Sequence, residues 1–372
     1  VPAHTGGWVS DLPTVGVEEE FLLVDPRTGE PAPHNTEVAA KAESRGVKLQ
    51  LELSSCQVET TSSVATTSAQ LGEELAGLRR TAAQAAEASG VRLLALALPP
   101  ATPHKFPVTD TPRYRRIGAQ FGMIAHEQGI CGCHVHVQVP DRAAAIRVSN
   151  WLRPWLPSLL ALSANSALYR NADSGYASWR SVLWSRWPTA GAPPHFASLG
   201  EYDRTVHMLI DTGVILDQDM IYWDVRPSAN FPTVEVRVAD VPATVAETVL
   251  LATLIRAAVI TALEERSQAD DVGCPSPIAL RAAYWKAAHD GLSGHTLDLV
   301  HDRGAVPARE QLGTLVRQVR PGLDALGEHD RVVAELDRIA AQGNGATRQL
   351  RAWRKRGEVM DVIAEAATAT LS

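Results

Sequence analysis

Cysteine is scarce: the chain has four in 372 residues. That is too few for a secreted disulfide scaffold, and no Cys-x-x-Cys pair suggests structural zinc. Basic charge is not in excess either. Acids outnumber bases 42 to 35, for a net charge of −7. This disfavours a nucleic-acid or anionic-membrane binder, because both need a basic footprint. An anionic ligand would have to be met by arginines gathered locally. The longest apolar stretches, "LLALALPPA" and "VLLATLI", are far short of the ~18 residues that span a bilayer. The opening "VPAHTGGWVSDLPT" lacks the basic start and apolar core of a signal peptide. The expectation is a soluble, cytoplasmic protein. Common nucleotide and hydrolase signatures are also missing. There is no G-x-x-x-x-G-K-[ST] loop, no G-x-G-x-x-G after a strand, and no G-x-S-x-G elbow.

What is present is ordinary for a globular chain, 45% apolar and 21% charged. At this length it should bury ~75% of its unfolded surface and fold without staples. "VGVEEEFLLV" (15–24) reads as a strand with Glu18, Glu20, Leu22 and Val24 on one face and Val15, Val17, Phe21 and Leu23 on the other. Glu19 falls on the second face. A short strand is expected at "KLQLEL", running into "SSCQVETT". Thr67-x-x-Gln70 is a capping box, followed by Leu71, Leu75, Leu78 and Ala82 at helical spacing until Gly90. "VRLLALAL" has strand length, and a helix is expected from about Arg113 to Gln128.

"ICGCHVHVQV" is the most regular strand. It puts His134 and His136 on one face and Cys131 and Cys133 on the opposite, valine-lined face. Two helices follow it, and then a long loop from Asn171 to Phe196. A helix opens at Ser198-x-x-Glu201. "DMIYWDVRP" and "TVEVRVAD" are strands, the latter with Thr233, Glu235 and Arg237 on its polar face. Thr244-x-x-Glu247 opens a long apolar helix to Glu265, and the rest, from Ser276, reads as helical. Strands scattered among helices without strict β-α-β alternation favour an α+β fold.

Several strands thus carry charged or imidazole groups where a half-buried strand normally carries apolar ones. These are Glu18 and Glu20, then His134 and His136, then Glu235 and Arg237, with Glu52 and Glu59 from "ELSSCQVE". Burying unpaired carboxylates costs several kcal/mol each, so their joint occurrence implies a compensating cation. A carboxylate-rich set with one or two imidazoles suits a hard ion, Mg²⁺ or Mn²⁺. Glu52 and Glu59 have opposite parity and converge only if a turn intervenes, for which Ser54-Ser55 is the candidate. Taken singly, each motif has a bland reading: a solvated Glu-x-Glu face, a core histidine, a cross-strand Glu–Arg pair. Cys131 and Cys133 are expected to be small core residues rather than ligands.

The motifs "VGVEEEFLLVD", "ELSSCQVETTS", "CGCHVHVQVPD", "LSANSALYRNADSGYASWRSVLWSRWPTAG" and "WDVRPSANFPTVEVRVAD", in that order, resemble those of the type 2 glutamate–cysteine ligase, or carboxylate–amine ligase, family. The likeness runs from Val15 to Leu263, with weaker similarity in "RAAYWKAAHDGL" and "GNGATRQLRAWRKRGEVMDVI". It implies a glutamine-synthetase-like catalytic fold, a curved, mainly antiparallel sheet around an ATP and metal site with helices outside. One catalytic domain over residues 1–372 is expected, its core about 15–265 and a helical C-terminal part about 276–372.

By the resemblance, Glu18, Glu20, Glu52, Glu59, His134 and Glu235 are metal ligands, and Gln57 belongs to the Glu…Gln-x-Glu segment. His136, Arg226 and Arg237 contact the nucleotide phosphates, and Arg180, Arg186 and Trp187 contact substrate. The implied cofactors are ATP and Mg²⁺ (or Mn²⁺). The implied partners are a small carboxylate and an amine, by default glutamate and cysteine, with no nucleic acid or membrane and with a homo-oligomer allowed. The implied chemistry is activation of the carboxylate by the γ-phosphoryl of ATP, with arginines and metal ions stabilising the transferring charge, and then attack by the amine. Alternatives on the residues alone are a same-fold ligase for another substrate pair, a zinc hydrolase using His134 and His136, and a non-catalytic nucleotide-binding relative.

Overall fold

The computed structural model describes residues 12–103, 105–265 and 274–372. The opening stretch read above for a signal peptide lies, up to residue 11, outside the described residues. One strand, β1 (Val15–Val24), organises the fold. It is followed by α1 (Asn35–Glu43), β2 (Gln50–Leu51), β3 (Gln57–Thr61), α2 (Ser68–Ala88) and β4 (Arg92–Leu94). Next come α3 (Pro112–Phe121), α4 (Met123–His126), β5 (Gly132–Gln138), α5 (Arg142–Leu152) and α6 (Leu156–Ser163). A small hairpin, β6 (Leu168–Tyr169) and β7 (Ala172–Asp173), precedes α7 (Trp179–Trp184), α8 (Leu199–Asp211), β8 (Val225–Pro227), β9 (Thr233–Asp240) and α9 (Val245–Glu264). The remainder is α10 (Pro277–Asp290), the hairpin β10 (His295–Asp298) and β11 (Gly304–Pro307), and helices α11 (Ala308–Gln318) to α15 (Val359–Thr370).

Seven strands form one antiparallel sheet in the order β2-β3-β1-β5-β9-β8, with β4 extending the β5 side of β1. The α+β expectation therefore holds, with α5, α6 and α9 packed on the valine face of the sheet. Val15, Val17, Val135, Val137, Val234 and Val236 share one core with α5, α6 and α9, and that core reaches Leu312, Leu315 and Leu323 in the C-terminal helices. The opposite face carries the polar side chains. Alternation with a period of two puts them there, because one slip in register would send every carboxylate into the core.

Helix α9 is apolar around its whole circumference. By length and composition it could cross a membrane, but 83% of its apolar window is buried inside the protein. An all-round apolar helix in a large domain is a core helix. The α2 helix departs from its expected face. Leu78 is only half-buried, while Arg79, one position further on, is completely buried. The reason is Glu19, which the parity of β1 sends into the core. Arg79 donates to Glu19 through Nε at 3.0 Å and Nη2 at 2.6 Å.

Other expectations were too long or too plain. The helix expected over 113–128 breaks at Gly122, whose φ of +55° suits glycine. The strand expected over 91–98 pairs only through β4, although that whole run is buried except Arg92. The expected loop from Asn171 contains β7 and α7, and the C-terminal helical region is interrupted by the β10–β11 hairpin.

Candidate active site

The register of β1 builds the centre of the polar face. Glu18 lies opposite His134 on β5, and Glu20 lies opposite Glu59 on β3. His134 Nδ1 is 3.0 Å from Glu18 Oε2, and its Nε2 is 3.8 Å from Glu20 Oε1. Glu20 also accepts from the Gly132 amide at 2.6 Å. Glu52 joins them from the other side. β2 ends at Leu51 and β3 begins at Gln57, and the intervening turn cancels the parity difference between Glu52 and Glu59. Two groups of ligand atoms result, Glu18–Glu59–His134 and Glu20–Glu52–Glu59, each gathered within 4.8 Å. Glu59 belongs to both.

Electrostatics distinguish these carboxyls. Burial, reinforced by Glu20, pushes Glu52 up to about 8. Burial and then Glu52, Glu18 and Glu20 push Glu59 well above the ordinary carboxyl value. Burial also opposes the charge on Glu18, but His134 and His136 outweigh it and hold this carboxyl low. The Glu20–Glu52–Glu59 group is thus short of positive charge. An oxygen-rich set with one imidazole fits a hard divalent cation.

Arginines flank the carboxylates. Arg226 on β8 lies opposite Glu235 on β9 and donates to it from Nε at 2.9 Å and Nη2 at 3.3 Å. Arg237 pairs with the same carboxylate. Burial opposes ionisation of Glu235, yet Arg226 and Arg237 together outweigh it and hold its carboxyl well below the ordinary range. Glu235 lies outside both groups of ligand atoms. His136 Nδ1 is 3.1 Å from Thr233 Oγ1, and its buried Nε2, 3.4 Å from Glu18 Oε1, makes no hydrogen bond of good geometry.

A cavity of about 140 Å³ opens beside this cluster. Its walls include Glu20, Glu52, Gln57, His134, Arg180 and Arg237. The buried Nε atoms of Arg180 and Arg237 and the indole nitrogen of Trp184, another lining residue, have no hydrogen-bond partner. Unspent buried donors beside unspent buried acceptors make a site for a ligand carrying both signs of charge, or for an anion with its cation. Gln57 instead spends its amide on Ile130 O at 2.6 Å and Cys131 Sγ at 3.2 Å.

The three expected substrate residues separate. Arg180 reaches the cavity because Gly132 has no side chain; a Cβ there would lie 2.5 Å from Arg180 Nη2. A register offset leaves Arg237 and Val238 together opposite His134, and Asp240 beyond them sits 3.7 Å from Arg180. Arg186 turns away to pair with Glu127. Trp187 is buried behind the wall and donates to Gln128 at 3.0 Å. Neither lines the cavity. Sequence reasoning missed Arg113 and Tyr114 from α3, and Asp219 and Tyr222 from the segment before β8, all of which do. Only the fold brings α3 there: Tyr114 donates to Leu51 O at 2.8 Å, and Arg113 pairs with Asp217.

Cys131 and Cys133 are fully buried, with their thiols pushed up by burial, and neither belongs to a group of ligand atoms. Replacing both by alanine is expected to cost about 1–2 kcal/mol per site and to leave turnover intact at permissive temperature. A hundredfold loss of activity in the folded double variant would contradict this placement.

An antiparallel sheet thus brings carboxylates and arginines together beside one cavity. The chain belongs to glutamate–cysteine ligase family 2, whose model matches residues 14–365. It is therefore a ligase. The likeness read from the motifs is borne out and extends nearly to the C-terminus. A Mycolicibacterium vanbaalenii protein provisionally named glutamate–cysteine ligase 2-2 is 64% identical over 98% of this chain and 99% of its own length. A Mycolicibacterium smegmatis protein provisionally named glutamate–cysteine ligase 2-3 is 62% identical over 98% of this chain and all of its own length. Among solved structures, a glutamate–cysteine ligase from Francisella tularensis in complex with AMP superposes with a TM-score of 0.70. It covers 97% of this chain and 89% of that one at 14% identity, a likeness of fold.

Proposed function

We infer that the protein joins the γ-carboxylate of glutamate to the amine of cysteine at the expense of ATP, with Mg²⁺ or Mn²⁺ at the carboxylate cluster. The observation that carries this reading is the juxtaposition of buried, cation-deficient carboxyls with unpartnered arginine and indole donors around one cavity. A metal-bound polyphosphate is the ligand whose charges complement both. Glu18, Glu59 and His134 would hold one ion, and Glu20, Glu52 and Glu59 a second. When bound, such ions neutralise charge on the phosphate oxygens and orient the transfer.

The chain's own residues do the rest. Arg237 remains charged at any working pH and presents planar donors to the γ-phosphoryl oxygens, while Arg226, bound to Glu235, adds positive charge beside it. His136 offers its unpartnered Nε2 to the same oxygens. Arg180 and the Trp184 indole donate to the carboxylate substrate or to the transferring group, where oriented dipoles in a buried site act strongly. Transfer of the γ-phosphoryl to the carboxylate releases ADP and gives an acyl phosphate. The amine lone pair then attacks the acyl carbon and phosphate leaves.

Hydroxylamine tests this without the natural amine. Protein, ATP, Mg²⁺, glutamate and hydroxylamine are expected to yield γ-glutamyl hydroxamate, ADP and phosphate. Arg237→Ala should reduce the product by about a hundredfold or more, the scale for losing one oriented donor to developing charge. Hydroxamate from another carboxylate but not from glutamate would change the substrate and keep the mechanism. Failure with every carboxylate in a broad panel, alongside ATP-independent hydrolysis of an amide or ester, would overturn the reading.

A further inference from the structure

Arg180 borders two cavities, the one described above and a second of about 210 Å³, and Trp184 lines both with it. A guanidinium with open space on two sides is not held in place by packing alone. Its contacts are few: Nη1 lies 3.4 Å from Val238 O, and the Trp184 ring centroid is 6.0 Å from Cζ. Nη2 occupies the gap that Gly132 leaves, and Nε is buried without a partner. Among the described residues, the carboxylate that comes within ion-pair distance of Arg180 is that of Asp240, 3.7 Å from Nη1.

Alternation counted from Glu235 would send Asp240 into the valine core with Val234 and Val236. The register offset in β9 reverses that. Val238 and Ala239 both enter the core, and Asp240 comes to lie opposite Gly132, on the face that carries His134. A one-residue bulge re-aims the side chains beyond it, and bulges are over-represented beside active sites. The Asp240 carboxylate is fully buried. Oδ2 accepts from Ser166 Oγ at 2.7 Å and from the Asn165 amide at 2.8 Å, and Oδ1 accepts from Ser178 Oγ at 2.8 Å. Both hydroxyls in turn hold the segment that carries Arg180. Ser166 Oγ accepts from the Arg180 amide at 3.1 Å, and Ser178 Oγ caps α7 by accepting from the Ser181 amide at 3.3 Å. Asn165 is braced by α14 (Gly345–Arg356), from which Gln349 donates to its backbone and side-chain oxygens, each at 2.7 Å.

We propose that Asp240 is the positioning residue for Arg180. It lines neither cavity and acts through the arginine, fixing its backbone by way of two serines and its guanidinium by charge. A neutral acceptor of the same shape would not serve. At 3.7 Å the contact is longer than a good hydrogen bond, and Coulomb attraction acts over that distance where water is excluded. The effect on turnover rests on the ligase reading given above; the restraint on Arg180 does not.

Asp240→Asn keeps the shape and removes the charge. In the hydroxamate assay it is expected to lower kcat/KM for glutamate by about a hundredfold, the scale for a group at the reacting site misplaced by ~1 Å. Arg180→Ala should lose at least as much. The double variant Asp240→Asn, Arg180→Ala should lose no more than Arg180→Ala alone, because a residue that acts through another then has nothing left to act on. A general structural role would instead multiply the two losses. Ser166→Ala, which cuts the link to the Arg180 amide, serves as the second variant if Asp240→Asn does not fold; its severalfold loss should vanish in the Arg180→Ala background. Crystal structures of the wild type and the folded variant read the same restraint without turnover, and the Arg180 guanidinium should leave its place beside Gly132 in the variant. Full activity in the folded variant, losses that multiply, or an unmoved Arg180 overturns the proposal. A wild type that makes no hydroxamate from any carboxylate counts against the ligase reading, while the place of Arg180 in the variant crystal still decides this one.

Discussion

Glu59→Gln is expected to lower turnover by about a thousandfold at millimolar Mg²⁺ while the protein stays folded. Glu59 is common to both groups of ligand atoms, so one substitution weakens each of them. The metal-free protein should respond in the opposite sense. Its Glu20–Glu52–Glu59 carboxyls repel one another, and burial with Glu20 carries Glu52 from an ordinary 4.5 to about 8. Above 4.5 the unfolded chain has released that proton while the folded protein keeps it. Stability without metal therefore falls as pH rises from about 4.5 to about 8 and levels off beyond. Removing the Glu59 charge should flatten this slope, and added Mg²⁺ should raise the melting temperature of the wild type far more than that of the variant. Thermal melts at pH 5 and pH 8, with and without Mg²⁺, measure both effects. Wild-type turnover at limiting Mg²⁺ would show that Glu59 holds no ion.

The second large effect is on stability. Arg79→Ala is expected to destabilise the protein by about 3–5 kcal/mol, because it strands a buried charge. That is a large share of the ~5–15 kcal/mol typical of a folded protein. Both Arg79 and Glu19 have fully buried side chains. The guanidinium also donates to the carbonyls of Pro242 at 3.0 Å, Ala243 at 3.2 Å and Thr370 at 3.1 Å, tying the central strand to the β9–α9 turn and to the last helix. Thr248 completes the cluster by donating to Glu19 at 2.6 Å. A Glu19→Leu, Arg79→Leu double variant should recover part of the loss, since it removes both charges, though the three carbonyls lose their donor. Urea midpoints decide the matter, and a loss below about 1 kcal/mol in Arg79→Ala would deny the pair its structural role. Where activity remains, its Mg²⁺ dependence should match the wild type, because Glu19 points away from the polar face.

The face on which the polar residues lie was legible from local pattern. Alternation along β1, β5 and β9 assigns Glu18, Glu20, His134, His136, Glu235 and Arg237 to one side, and strand geometry allows no other outcome once the valines are buried. The same alternation sends Glu19 and Cys133 to the other side, whereas Cys131, just before β5, is buried but meets the Gln57 amide instead of the valines. Thr67, Ser198 and Thr244 each accept from the backbone amide three residues on, as their capping patterns require.

Everything that depends on contact between distant segments had to wait for the fold. That Glu52 joins Glu20 and Glu59 follows from a turn whose path no period announces. That Arg79, not Leu78, faces the core follows from a carboxylate 60 positions earlier in the chain. Arg180 and Arg186 sit six positions apart in one motif, yet the first lines the cavity in the space Gly132 leaves and the second pairs with Glu127. Arg113 and Tyr114 of α3 gave no signal in the sequence, yet both line the cavity. Period and capping are short-range and written locally, whereas the pairing of a charge is set by segments that meet only when the chain has folded.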